Sequence, residues 1–135
     1  MGGIQAERAA SLADAVVNAA EREAKPVSVA VVDEVGALLW FQRMDGAPRY
    51  SADFAVAKAR TAATFGAATS SLEELYASRP AFAQSFIAQG GYFLGRGGIP
   101  VLRDGRVLGA VGVSGADAHG EEQLAQAAVA EVYGG

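Results

Sequence analysis

The sequence predicts an α+β domain in which helices cover an antiparallel sheet. Two pairs of apolar segments are each joined by a short turn. Val27–Val32 meets Ala37–Arg43 through Asp33-Glu34-Val35-Gly36, and Ile99–Arg103 meets Arg106–Val113 through Asp104-Gly105. Stretches of helical period stand before, between and after these pairs. The two arms of a hairpin run antiparallel, and helices set between hairpins cover a sheet instead of linking parallel strands. At 135 residues the chain suits one core. No repeat, charge block or low-complexity linker divides it, so residues 1–135 read as a single domain.

Ile4 to Ala24 reads as an amphipathic helix. Ala9, Leu12, Ala13, Val16 and Ala20 recur at helical spacing, while Arg8, Asp14, Glu21 and Arg22 lie elsewhere. Pro26 ends it by forcing the residue before it out of the helical region. Val27–Val32 is an almost unbroken apolar run, which predicts a strand buried on both faces. After the second strand, Met44 to Tyr50 is a loop punctuated by Asp-Gly and Pro. Ser51 is a favourable N-cap for a helix from Ala52 to about Gly66, where glycine supplies the stop. Ser70 or Ser71 caps a short helical segment with Glu73 and Glu74 in its first turn. Pro80 opens another, through Ile87, and Gln89–Gly98 is a glycine-rich connection. Asp104-Gly105 is a strong hairpin turn. A last helix, roughly His119 to Tyr133, presents Leu124, Ala128 and Val132 on one face.

Composition narrows the function. Apolar residues make up 51%, charged residues 19%, and the net charge is −4. An acidic balance argues against nucleic acid as a partner. With no cysteine there is no disulfide, thiolate nucleophile or cysteine-based metal site, and a single histidine, His119, excludes multi-histidine metal centres. Charges scattered through residues 1–25 interrupt any secretion-signal core, and no segment reaches membrane-spanning length, so a cytoplasmic protein with no membrane partner is expected. A small Gly/Ala-rich chain with this much apolar surface is expected to form a homo-oligomer.

The residue that stands out is Lys58. It lies on a helix face otherwise made of Phe54, Ala55, Ala62 and Phe65. An ionised amine is costly to bury alone, so Lys58 needs a ligand or a partner. It holds an anionic ligand, acts as a base or Schiff-base amine, pairs with Asp33, Asp45 or another acid, or reaches solvent. Arg60, on another face, binds an anion or pairs with Asp53 or Glu74. The loop Arg43-Met44-Asp45-Gly46-Ala47-Pro48 either shapes a site or closes on its own backbone. His119 is a candidate axial haem ligand, with Tyr50, Tyr76, Tyr92 and Tyr133 as alternatives. Ser114, in Gly112-Val113-Ser114-Gly115-Ala116, narrowly misses the G-x-S-x-G pattern of a serine hydrolase, and no acid–histidine relay accompanies it. Ser114 and Gly115 instead offer backbone N–H groups to an anion at a strand end. Gly95-Arg96-Gly97-Gly98 lacks the lysine and spacing of a P-loop, leaving Arg96 as an anion contact.

Taken together, D-G-A-P, the K-A-R-T-A helix, G-G-I-P, the D-G hairpin and G-V-S-G, in this order from about Arg8 to Tyr133, resemble the GlcG/HbpS family. That family includes the carboxy-terminal domain of PduO-type proteins and is often labelled haem-degrading. The resemblance implies a profilin-like α-β-α sandwich with a central sheet of about five strands, symmetric oligomers, and haem or tetrapyrrole binding in some members. In those members a residue near the N-terminal helix ligates iron. Here Ile4–Ala24 has no histidine, tyrosine or methionine, and His119 matches no family ligand position. The expected function is binding of an anionic small molecule, or haem, through Arg43, Lys58, Arg60, Ser114 and Gly115. The alternatives are a cofactor-independent enzyme using Lys58 and Asp45 for proton transfer, isomerisation or lyase chemistry, and a structural or regulatory oligomer.

Overall fold

Alternation along the first strand divides the core between two sides of one sheet. The computed structural model describes residues 2–134. Its elements are α1 (Ala6–Arg22), β1 (Ser28–Asp33), β2 (Leu38–Arg43), α2 (Ser51–Phe65), α3 (Thr69–Leu75), α4 (Pro80–Ile87), β3 (Gly98–Arg103), β4 (Arg106–Ser114) and α5 (Ala118–Tyr133). Val29 and Val31 of β1 pack with Leu12 and Val16 of α1 and with Leu124 and Ala128 of α5. Ala30 and Val32 pack the other way, against Ala55, Ala59 and Ala62 of α2. The result is three layers, helix, sheet and helix, as period-two alternation within a doubly covered strand requires.

The sheet has four strands in the order β2-β1-β4-β3, with every neighbouring pair antiparallel. The expectation of about five strands is therefore corrected. Both hairpins form where their turns predict, but the residues between them become α3, α4 and a connection with left-handed glycines at Gly90 and Gly91 (φ 92° and 84°), which offers no extended segment to a ladder.

Two local features set the site. In the β3–β4 hairpin, Val101 pairs with Gly109 and Leu102 with Val107, which leaves Leu108 as a bulge. The bulge turns Leu108 toward α1 and α5 while Val107 faces α2's side. Further along β4, Gly112 lies directly under α2. A Cβ there would collide with the Ala55 carbonyl and the Ala59 amide, so glycine lets the helix lie close on the strand. Gly66 stops α2 in the left-handed conformation (φ 64°) and donates its N–H to the Ala62 carbonyl. Ser51 is the first helical residue and not the cap. Its hydroxyl is buried between Pro48 O (2.6 Å) and Ser28 Oγ (2.8 Å). Among the described residues no helix is long and apolar enough to cross a membrane.

Candidate functional site

Because α2 lies so close to β4, the Lys58 side chain is trapped beneath the helix and runs toward the end of that strand. Its ammonium donates to the Val113 carbonyl (3.1 Å) and to Glu121 Oε1 (2.9 Å). Glu121 stands in the first turn of α5. Asp117 starts that helix as its N-cap, accepting the Gly120 N–H at 2.8 Å. The second Glu121 oxygen accepts the Gly115 N–H at 2.8 Å. Lys58 is 4% exposed and Glu121 5%, so two opposite charges sit out of water, each compensated by the other and by one backbone group. An ammonium has three protons. Two are spent, and the centre of the Phe93 ring lies 5.8 Å from Nζ.

Ser114 sits beside this pair. Its hydroxyl is buried and, among the described residues, has no hydrogen-bond partner. Lys58, Glu121 and Ser114 all line one cavity of about 320 Å³, whose other walls include Tyr50, Phe54, Phe93 and Arg96. That volume is at the small end of ligand sites, which run from about 300 to 1,000 Å³. Phe93 stacks on Phe54 with ring centres 4.6 Å apart. The segment carrying Phe93 is pinned by its own N–H to Thr61 Oγ1 (2.9 Å) and by Arg96, whose Nε lies 3.3 Å from Glu122.

The other residues singled out in the sequence lie elsewhere. Arg43 and Asp45 are exposed and line a separate cavity of about 490 Å³ beside the end of α1. There Arg43 donates to the Ala47 carbonyl (2.7 Å), closing its own loop. Asp45 therefore does not share Lys58's cavity. Arg60 lines a third cavity, of about 370 Å³, with Tyr92 and Phe93, and is stitched to the Gly36 carbonyl (3.5 Å). The anion expected at Lys58 and at the Gly115 N–H is supplied by the chain itself, as Glu121. The sequence carried one signal for it, an acid in the first turn of the helix following G-V-S-G. Phe93, inside a glycine-rich connection, had none.

Of the candidate haem ligands, Tyr50 lines the Lys58 cavity and Tyr92 the Arg60 cavity. His119 is exposed and lines none of these cavities, and the Met44 sulfur already accepts the Val27 N–H at 3.4 Å. Among the described residues no cluster of three or more His, Cys, Asp or Glu is placed to hold a metal ion.

Comparison with known proteins gives the setting. A family model described as haem-degrading protein HbpS-like matches residues 4–130. Protein GlcG of Escherichia coli strain K12 is 38% identical over 108 residues, covering 76% of this chain and 78% of GlcG. A double mutant of Streptomyces reticuli HbpS superposes with a TM-score of 0.89 at 37% identity, over 97% of this chain and 88% of that one. A PduOC:heme complex superposes with a TM-score of 0.85 at 29% identity, over 95% and 94% of the two chains.

Proposed function

The chain belongs to the family of HbpS-like, haem-degrading proteins, and from that premise we propose that it binds a small molecule in the cavity floored by Lys58, Glu121 and Ser114. The observation that carries this reading is the Ser114 hydroxyl, buried without a partner beside an ammonium with one proton unspent. An orphaned buried hydroxyl costs on the order of 1–3 kcal/mol, and a ligand oxygen accepting from both groups recovers it. Glu121 already neutralises Lys58, so the floor suits a carbonyl or amide oxygen better than a full anion. Phe93 and Phe54 offer a flat apolar wall, which favours a planar ligand.

The test is ligand-observed and protein-observed NMR with benzamide, benzoate and haemin. Benzamide is expected to shift Ser114, Gly115 and the Phe93 ring, and Ser114→Ala is expected to abolish the effect. Shifts confined to other cavities would move the site. Haem, which the PduOC complex holds, is the competitor. A saturable Soret shift unaltered by Lys58→Met or Ser114→Ala would replace the present reading with a haem site elsewhere.

A second reading is favoured by the Lys58–Glu121 contact itself, two titratable groups 2.9 Å apart facing one cavity. In a cofactor-independent proton transfer, Glu121 takes the place beside Lys58 that was expected for Asp45. Exchange of a bound ligand's C–H protons with deuterated solvent tests it. The homo-oligomer belongs to the same proposal, supported by the exposed apolar edge formed by Leu38, Trp40 and Phe41 on β2.

A further inference from the structure

A second polar cleft, of about 270 Å³, lies where α1 begins and α5 ends, away from the Lys58 cavity. Two arginines from elements far apart in the chain meet there. Arg8 of α1 sits 5.0 Å from the centre of the Tyr133 ring, and Arg103 of β3 sits 5.9 Å from the same centre. Arg8 is held in place by donating to the Val132 carbonyl at 3.2 Å. The guanidinium of Arg106 lies over Gly2, which forms part of the wall, closely enough that a Cβ there would collide with it.

Arg8, Arg103 and Arg106 are all exposed, so water weakens their mutual repulsion and leaves them open to a dissolved anion. The chain is acidic overall, with 15 Asp and Glu against 11 Lys and Arg, so acids were at hand. Yet the ion pairs among the described residues use Lys25, Lys58 and Arg96, and none involves Arg8, Arg103 or Arg106. Glu34, whose carboxylate rests against Gly3 near this cleft, pairs with none of the three. The start of α1 adds to the field. Gln5, which lines the cleft, gives the helix no side-chain cap, so among the described residues the first-turn N–H groups have no side-chain partner, and Glu7 is the one acid in that turn.

We propose that this cleft binds a small free dianion of the phosphate class, held by Arg8 and Arg103, which line it together beside Tyr133. Planar guanidinium groups match the paired oxygens of phosphate, and they do so better than ammonium groups. The site is independent of the proposed function and stands or falls separately.

Calorimetric titration of the full chain with inorganic phosphate, at low ionic strength and neutral pH, tests it. Saturable one-site binding is expected, weakened about tenfold or more in Arg8→Gln/Arg103→Gln and unchanged in Arg22→Gln, at the other end of α1. Sulfate should compete and chloride should not. In the wild type, phosphate should shift the Arg8 and Arg103 Nε–H resonances, a readout that does not depend on the variant folding. Absence of saturation, equal affinity in the double variant, shifts at other arginines, or binding to anionic vesicles without any response to dissolved phosphate would each overturn the proposal.

Discussion

At the scale of the residue, the site rests on one buried ion pair and one unsatisfied hydroxyl. Removing half of such a pair leaves a bare charge in a poorly hydrated place. Lys58→Met is therefore expected to lower stability to denaturant by about 3–5 kcal/mol, and Lys58→Met/Glu121→Leu to recover most of that loss. Urea unfolding of the two single variants and the double variant gives the coupling directly, and an additive cycle would show that the two groups do not depend on each other. Ser114 makes the opposite prediction. Its hydroxyl has no hydrogen-bond partner among the described residues, so Ser114→Ala is expected to stabilise the ligand-free protein by about 1 kcal/mol while removing ligand binding. A lower thermal midpoint in that variant would mean that the hydroxyl has a partner after all.

At the scale of the element, the start of α5 aims Glu121 and the glycine under α2 seats Lys58. The Asp117 cap holds its carboxyl below the ordinary carboxylate value of 3.8, first through the Gly120 N–H and then through Lys25. A carboxyl whose pKa is depressed on folding stabilises the fold above its unfolded value and loses that contribution as pH falls through the folded one. Wild type and Asp117→Asn should therefore differ in denaturant stability at neutral pH and converge in acid, below pH 3.8. A gap that stays constant with pH would contradict the assignment. On β4, Gly112→Ala places a methyl group against the α2 backbone. The expected loss is at or beyond the upper end of the roughly 1–3 kcal/mol typical of overpacking, because the obstacle is main chain and cannot rotate away. Its measure is the denaturation midpoint, and near-wild-type stability would show that α2 can lift.

At the scale of the whole molecule, the open question is the sheet's edge. Among the described residues β2 pairs only with β1 and leaves Leu38 51% and Trp40 40% exposed. A free apolar edge strand invites association unless something covers it. For the proposed homo-oligomer, light scattering is expected to give the wild type a mass above that of one chain and Trp40→Glu a smaller one, with circular dichroism unchanged. An unaltered mass would place any interface elsewhere.

What the sequence determined by itself was local. Asp104-Gly105 forms the second hairpin because both residues accept positive φ (53° and 77°), a property of the dipeptide alone. Gly66 stops α2 for the same kind of reason. Lys58 was legible because a charge on an apolar helix face is anomalous wherever the helix goes. Tertiary structure decided the rest. Glu121 meets Lys58 across 63 residues of chain, and nothing near either residue distinguishes that acid from any other in a helix's first turn. Asp45 looked equally suitable by local pattern, yet its loop opens beside the end of α1. The order β2-β1-β4-β3 and the strand count follow from which hairpin arms pair, and pairing is a long-range choice made by burial of both sheet faces at once. Turns and helix ends answer to their own few residues, whereas a site is made by contacts between segments that only the packed core brings together.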